Sequence, residues 1–302
     1  MEEEDDEERE KWKNERSRVL DVWSEIELRG RDALKVDIVH EPGSDDVGVE
    51  TPLEVLYPKL VASENQNTLL QKSSDEPSTS TASESTTWQR VLRVCLCRPE
   101  PAVLPALAHT HKALIISLSE VPYQNDNPTH WLLLYEYFRS IASIALNSSS
   151  MAVQCPRTGP HWQIVGFQGN DPATDFRGCG IFGLLQLHSF SQRVNPEKLQ
   201  AIVKLSRSEP NDFPLAVVSL NITGLILSHL KRGNLNSLGN DENGLYPSIS
   251  ALHAACLTFF CNQYKFNGST LAQCQSILST IDEGLLRNPR AILSPLQNDV
   301  LV

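Results

Sequence analysis

"GFQGNDPATDFRGCGIFGLLQL", residues 166–187, sets five glycines, one proline, two aspartates and a single arginine, Arg177, in a turn that runs straight into an apolar helix. Three readings compete for it: a structural corner, a phosphate cradle, and an arginine presented to another molecule. Locally, Pro172 biases Asp171 away from helical backbone and opens a turn. Thr174 and Asp175 are good caps for the helix after them, and a carboxylate there suits the positive helix end. Gly178 and Gly180 permit a sharp turn or a close backbone approach. Leu184, Leu185 and Leu187 then bury the helix. In the structural reading Arg177 simply pairs with Asp175 or Asp171.

The phosphate reading rests on "GCGIFG", which places Gly178, Gly180 and Gly183 in the order G-x-G-x-x-G, with Glu197 further on. A dinucleotide site needs that loop after a strand and inside a βαβ unit, so that pyrophosphate meets the helix N-terminus. Here the pattern downstream is helix after helix. The G-x-x-x-x-G-K-[ST] phosphate loop is absent from the sequence, which argues against nucleotide hydrolysis by such a site of its own.

Outward from the turn, apolar residues recur at helical spacing and strand-like alternation is scarce. "VLPALAHTHKALIISLSE" and "HWLLLYEYFRSIASIAL" read as helices, the second capped by Thr129. "GIFGLLQLHSF" comes directly after the turn. Asn195-Pro196 then gives a cap and a first-turn proline for "PEKLQAIVKLSRS". "FPLAVVSLNITGLILSHLKRG" stops at Gly233, "SISALHAACLTFFCNQYKF" is next, and "STLAQCQSILSTIDEGLLRN" is closed by Pro289. About seven helices make an all-α domain. The stretch Phe213 to Leu230 holds Pro214, Asn221, Ser228 and His229, so it reads as a buried helix; a membrane span needs about 20 mostly apolar residues.

The formal charge of −11 is unevenly spread over the 302 residues. Residues 1–87 hold 23 acidic and 10 basic side chains, a net −13, which leaves +2 for residues 88–302. That balance argues against a nucleic-acid binder, which would carry a basic stripe. Residues 1–11 are an acidic run, 12–40 hold a short charged helix, and "QKSSDEPSTSTASESTT" is low in complexity. Such composition cannot offset its ordering entropy, so 1–87 is expected to be mostly disordered. Residues 88–290 form the domain, with a motif core at 160–225, and 291–302 a C-terminal tail.

Seven cysteines without an export signal read as reduced thiols of a cytoplasmic protein. Cys95 and Cys97 lack a second pair at zinc spacing. His109 and His111 sit two apart on a helix, on different faces and without a third ligand. No metal site and no cofactor are expected, and no G-x-S-x-G nucleophile turn is present.

Arginine itself is informative chemistry. A planar, permanently charged, bidentate fork suits phosphate oxygens better than lysine does. Supplied in trans to a small GTPase, it stabilises charge on the transferring γ-phosphoryl, worth roughly 10³–10⁵ in rate. A protein doing only this looks catalytically empty apart from one presented arginine.

Trp162, Gly166, Phe167, Gln168, Pro172, Thr174, Asp175, Phe176, Arg177, Gly178 and Gly180 match the pattern W-x-x-x-G-F-Q-x-x-x-P-x-T-D-[FL]-R-G-x-G, and Leu184 follows it. It resembles the signature of the ELMO-domain family, as does "IVKLSRSEPNDFPLAVVSLNIT". The sequence is most similar to the third animal type of the smaller ELMO domain-containing proteins, over roughly 88–290. The resemblance implies an all-helical domain that activates Arf-family, particularly Arf-like, small GTPases in their GTP-bound form, with Arg177 as the residue on which activity depends. Gln168, Asp175 and Gly178 would shape or anchor the turn. The larger ELMO scaffolds, which partner Dock-type exchange factors, lack that arginine. The alternative is therefore a non-catalytic scaffold binding a small GTPase or an exchange factor. The family's link to membrane traffic and actin-rich structures implies a cytoplasmic protein recruited through its GTPase. The acidic N-terminal third has no counterpart in the family, and His188 and Ser189 stand where related sequences are more apolar or aromatic.

Overall fold

The computed structural model describes residues 102–147, 155–240 and 244–297. The charged helix and disorder expected before residue 88, that boundary itself, and Cys95 and Cys97 lie outside these residues. Among the described residues every regular element is helical.

Among the described residues eight α-helices succeed one another: α1 (Ala106–Glu120), α2 (Pro128–Ala145), α3 (Gly180–Arg193), α4 (Pro196–Ser206), α5 (Leu215–Lys231), α6 (Leu245–Phe266), α7 (Cys274–Arg287) and α8 (Pro289–Gln297). Two 3-10 turns, Pro160–Val165 and Pro172–Gly178, fill the connection from α2 to α3. Shorter ones lie at Asn236–Asn240 and Leu271–Gln273.

The same dipeptide opens three of the α-helices. Asn127 accepts from the Thr129 and His130 amides, with Pro128 in the first turn of α2. Asn195 does so for Glu197 and Lys198, and Asn288 for Ala291 ahead of α8. Each asparagine satisfies amides the helix leaves open, while the proline has no N–H to lose. The cap of α2 is therefore Asn127, and Thr129 lies inside the helix. The helix before Pro289 ends at Arg287 as expected, and Pro289 also opens a further helix. That helix runs through the boundary drawn at residue 290 into the expected tail, and its Ile292 and Leu293 pack on the core.

α5 and α6 lie at the centre. Val217, Val218, Leu220, Ile222, Ile226 and Leu230 are buried from several sides of α5, since α1, α3, α6 and α7 all pack on it. It ends where Gly233 (φ +79°) turns the chain back. The Gly233 amide donates to Leu230 O and the Asn234 amide to His229 O, the pair of bonds that closes a helix through a left-handed glycine. α6 runs antiparallel to α5: Phe213, just before α5, packs on Phe260 and Tyr264 near the end of α6, and Ser219 meets His253 at 2.9 Å. α2 lies across α3 and α4 and holds the first 3-10 turn. No described helix is long and apolar enough to cross a membrane.

Candidate functional site

The motif residues between α2 and α3 converge, and most serve to fix the backbone. Trp162 is fully buried in the first 3-10 turn, its indole N–H donating to Arg157 O at 3.1 Å. An aromatic chain continues from it, with ring centroids 5.6 Å apart for Trp162–Phe167, 5.7 Å for Phe167–Phe176 and 5.4 Å for Phe176–Tyr123. Aromatic pairs at such separations contribute about 0.5–1.5 kcal/mol each beyond area burial. The Tyr137 hydroxyl, from α2, donates to Val165 O at 2.9 Å.

Gly166 (φ +90°) joins this stretch to α5. Its carbonyl accepts the Val217 N–H at 3.1 Å, and a side chain there would stand 2.4 Å from the Leu215 backbone nitrogen. The loop closes where the Gly159 N–H donates to Asn170 O at 2.7 Å.

Asp171 caps the second 3-10 turn through the Ala173 amide, with Pro172 next to it. The structure thus gives Asp171 the capping role expected of Thr174 and Asp175. Their oxygens are committed within the turn: the Thr174 hydroxyl lies 2.8 Å from Asp171 O, and the Asp175 carboxylate accepts the Gln168 N–H at 2.8 Å. Cys179 precedes α3 without a side-chain cap. Burial pushes the Asp175 carboxyl above its ordinary value, opposed by the Gln168 N–H, the Thr174 hydroxyl and the Arg177 charge.

Of the three glycines in "GCGIFG", two are required by packing. Gly180 (φ +52°) sits where a side chain would meet Val121 O at 2.5 Å, and the Ile181 N–H donates to that oxygen at 2.8 Å. Gly183 lets Cys179 and Leu220 close in. Gly178 is exposed, with nothing near its absent side chain, so the steric role expected of it does not hold. The start of α3 is thus docked on the end of α1 at Gly180 and against Leu220 of α5 at Gly183, so helix packing accounts for two of the three glycines.

Arg177 stands apart. Its neighbours Asp175 and Phe176 are buried, yet Arg177 is exposed. Among the described residues it makes no hydrogen bond and no ion pair, so the pairing with Asp175 or Asp171 expected in the structural reading is absent; it acts on Asp175 only through space. Two other arginines near the turn are tied down. Arg157 lies 4.1 Å over the Trp131 ring and donates to Asn125 O, and Arg207 donates to Ile164 O at 3.0 Å. Tyr123, Tyr137 and Arg157 support the turn without any sequence signal, because each reaches it from another part of the chain.

Other candidate chemistry is occupied by structure. His111 is buried and accepts the Tyr246 N–H at 3.3 Å, while His109 is exposed. His188 meets Glu136 at 2.6 Å across α2 and α3. Ser219 and His253 are each 1% exposed, and burial brings His253 down to about 4, so it stays neutral. Among the described residues no group of three His, Cys, Asp or Glu side chains is placed to hold a metal ion.

A sequence model of the ELMO/CED-12 family matches residues 113–278, more than half of the chain. The chain is 24% identical to human ELMO domain-containing protein 3 over 65% of its own length and 50% of the relative's. It is 33% identical to human ELMO domain-containing protein 2, over 50% of the chain and 48% of the relative. With ELMO domain-containing protein B of Dictyostelium discoideum the identity is 36%, over 39% and 38%. The chain spans about half the length of the first of these relatives. No solved structure matches.

Proposed function

Because the chain belongs to the ELMO/CED-12 family, we propose that it is a GTPase-activating protein. It acts on an Arf-family, particularly Arf-like, small GTPase in the GTP-bound state and supplies Arg177 in trans. The observation that carries this reading is the contrast at one turn. Asp175 and Phe176 are locked into the fold, and the arginine directly after them is exposed and unpaired among the described residues.

The division of labour comes from phosphoryl-transfer chemistry. The GTPase holds the nucleotide, its Mg²⁺ and the attacking water, and negative charge builds on the γ-phosphoryl oxygens as the bond to the leaving group lengthens. A guanidinium arriving there meets two oxygens at once and needs no reorganisation if its backbone is already fixed. The aromatic chain and the Asp175–Gln168 bond provide that fixed backbone. The chain itself contributes no nucleophile and no base, and the GTPase brings the complex to any membrane.

Single-turnover hydrolysis by a panel of GTP-loaded Arf and Arf-like GTPases tests this. The wild-type chain accelerates at least one of them by roughly 10³–10⁵, the range for a supplied arginine. Absence of stimulation across the panel by folded protein overturns the reading in favour of a scaffold with a structural Arg177.

A further inference from the structure

We propose that the outer face of the first two turns of α2, with Arg157 laid over it, is the surface that seats the GTP-bound GTPase served by Arg177. This rests on the function proposed above and adds a binding surface to it. Pro128, Trp131, Leu132 and Tyr135 recur at three- and four-residue spacing, so they share one side of the helix. Pro128 and Leu132 are exposed, Leu132 to 38%, while Trp131 and Tyr135 are half-buried. The Trp131 and Tyr135 rings lie 6.2 Å apart, and the Trp131 ring stands edge-on to buried Trp162 at 6.4 Å. A motif residue therefore holds the strip from beneath.

The strip adjoins Arg177 through the connection from α1 to α2. Arg177 and Gly178 lie between two points at which their turn meets that connection. Before them, Phe176 stacks on Tyr123 with ring centroids 5.4 Å apart; after them, the Ile181 N–H donates to Val121 O at 2.8 Å. Pro122, between those two partners, is exposed. The Tyr123 hydroxyl in turn feels the Arg157 charge. Arg157 donates to Asn125 O, and its guanidinium lies 4.1 Å over the Trp131 ring. One tyrosine and one arginine thus carry the surface from the arginine turn to α2. A standard interface buries about 800 Å² on each partner, so a GTPase reached by Arg177 also covers what flanks it.

The chemistry of the strip fits that occupant. Arg157 is exposed, and among the described residues it has no carboxylate partner. One Nη1–H is spent on Asn125 O and the Trp131 ring supports the guanidinium, which carries further donors. A cation held ready in this way suits a carboxylate on the GTPase surface, with an apolar side chain of the partner on Leu132. Trp, Tyr and Arg are the residues in which binding energy concentrates at protein interfaces. Asp126, exposed at the edge of the strip, gives it charges of both signs, whereas an anionic lipid surface calls for a basic cluster.

The test uses the GTPase that the full chain stimulates, loaded with a non-hydrolysable GTP analogue for binding and with GTP for hydrolysis. Leu132→Asp is expected to weaken binding about tenfold or more, and Arg157→Glu about 30-fold or more, the losses of hot spots and mismatched charges. The concentration for half-maximal stimulation rises in step, while the saturating rate is kept. Arg177→Lys gives the converse, a lost saturating rate with binding retained. Leu132 lies outside the arginine turn, so Leu132→Asp decides the matter where Arg157→Glu lowers the melting temperature. Undiminished affinity of both variants for a GTPase that the wild type stimulates overturns this inference and leaves the role of Arg177 standing. A saturating rate lost in Arg157→Glu with affinity kept also overturns it, by moving Arg157 to the nucleotide phosphates. Loss only of binding to phosphatidylserine vesicles, or only of self-association, overturns it in favour of a lipid surface or a second copy. A wild-type chain that stimulates no GTPase overturns both proposals.

Discussion

The Asp175 carboxylate accepts the Gln168 backbone N–H at 2.8 Å, clamping the start of the second 3-10 turn to the segment of chain that leaves Gly166. The carboxylate is buried and lies two residues from the exposed Arg177. It turns a glycine-rich connection into a fixed support for one cation.

What the clamp needs is an acceptor, not a charge. Burial raises the Asp175 carboxyl, so its ionised form is held at a disadvantage in the folded protein. An amide oxygen at the same place still accepts from Gln168. Asp175→Asn is therefore expected to stay within about 1 kcal/mol of wild type, whereas Asp175→Ala, which leaves that N–H unsatisfied, loses about 1–3 kcal/mol. Denaturant unfolding of both variants checks this. Equal losses would show that the charge itself holds the turn.

The glycines divide in the same way. At Gly166 and Gly180 any side chain meets backbone atoms, and φ is positive at both. Alanine there is expected to cost about 2–5 kcal/mol, combining left-handed strain with overpacking. Gly178→Ala has open space and should change stability by no more than about 0.5 kcal/mol. Thermal melting of the three variants separates the classes, and a large loss at Gly178 would contradict the packing described.

His253 predicts an acid-sensitive fold. Burial first of all, against a hydrogen bond with the Ser219 backbone, brings it from 6.5 to about 4. The unfolded chain then binds a proton that the folded chain refuses. The contribution to stability is complete above about pH 6.5 and is lost as pH falls toward about 4, amounting to about 3 kcal/mol at most. Unfolding free energies measured between pH 7 and pH 4 should fall, and His253→Gln should flatten the slope. An unchanged slope in that variant would place the titration elsewhere.

How far the sequence could be read depends on the range of each interaction. Helical periodicity and the Gly233 stop are local, and α3 to α7 lie where the pattern put them. Asn195-Pro196 read correctly as a helix start, and the same chemistry recurs at Asn127-Pro128 and Asn288-Pro289. There the sequence points to Thr129 as the cap instead of Asn127, and Pro289 does follow the end of one helix while opening the next. Proline ends one helix and begins the next in the same geometry, and only the apolar Ile292 and Leu293 beyond it distinguish the cases. At the site, the motif marked the stretch but not the division of work within it. Thr174 and Asp175 are cap-forming residues, yet their partners lie back along the turn. The exposure of Arg177 depends on what Tyr123, Arg157 and α5 cover, and no spacing within residues 166–187 encodes that.

The measurement that bears most directly on the central claim is the saturating rate of GTP hydrolysis by one responsive GTPase, compared for the wild-type chain, Arg177→Lys and Arg177→Ala. Arg177 is exposed and bonded to nothing among the described residues, so all three proteins should unfold within about 0.5 kcal/mol of one another. With lysine the charge survives and the bidentate fork is lost. The account predicts that both variants lose nearly all of a stimulation of roughly 10³–10⁵ while they still bind the GTP-loaded GTPase. A folded Arg177→Ala protein that stimulates as well as the wild type would contradict it.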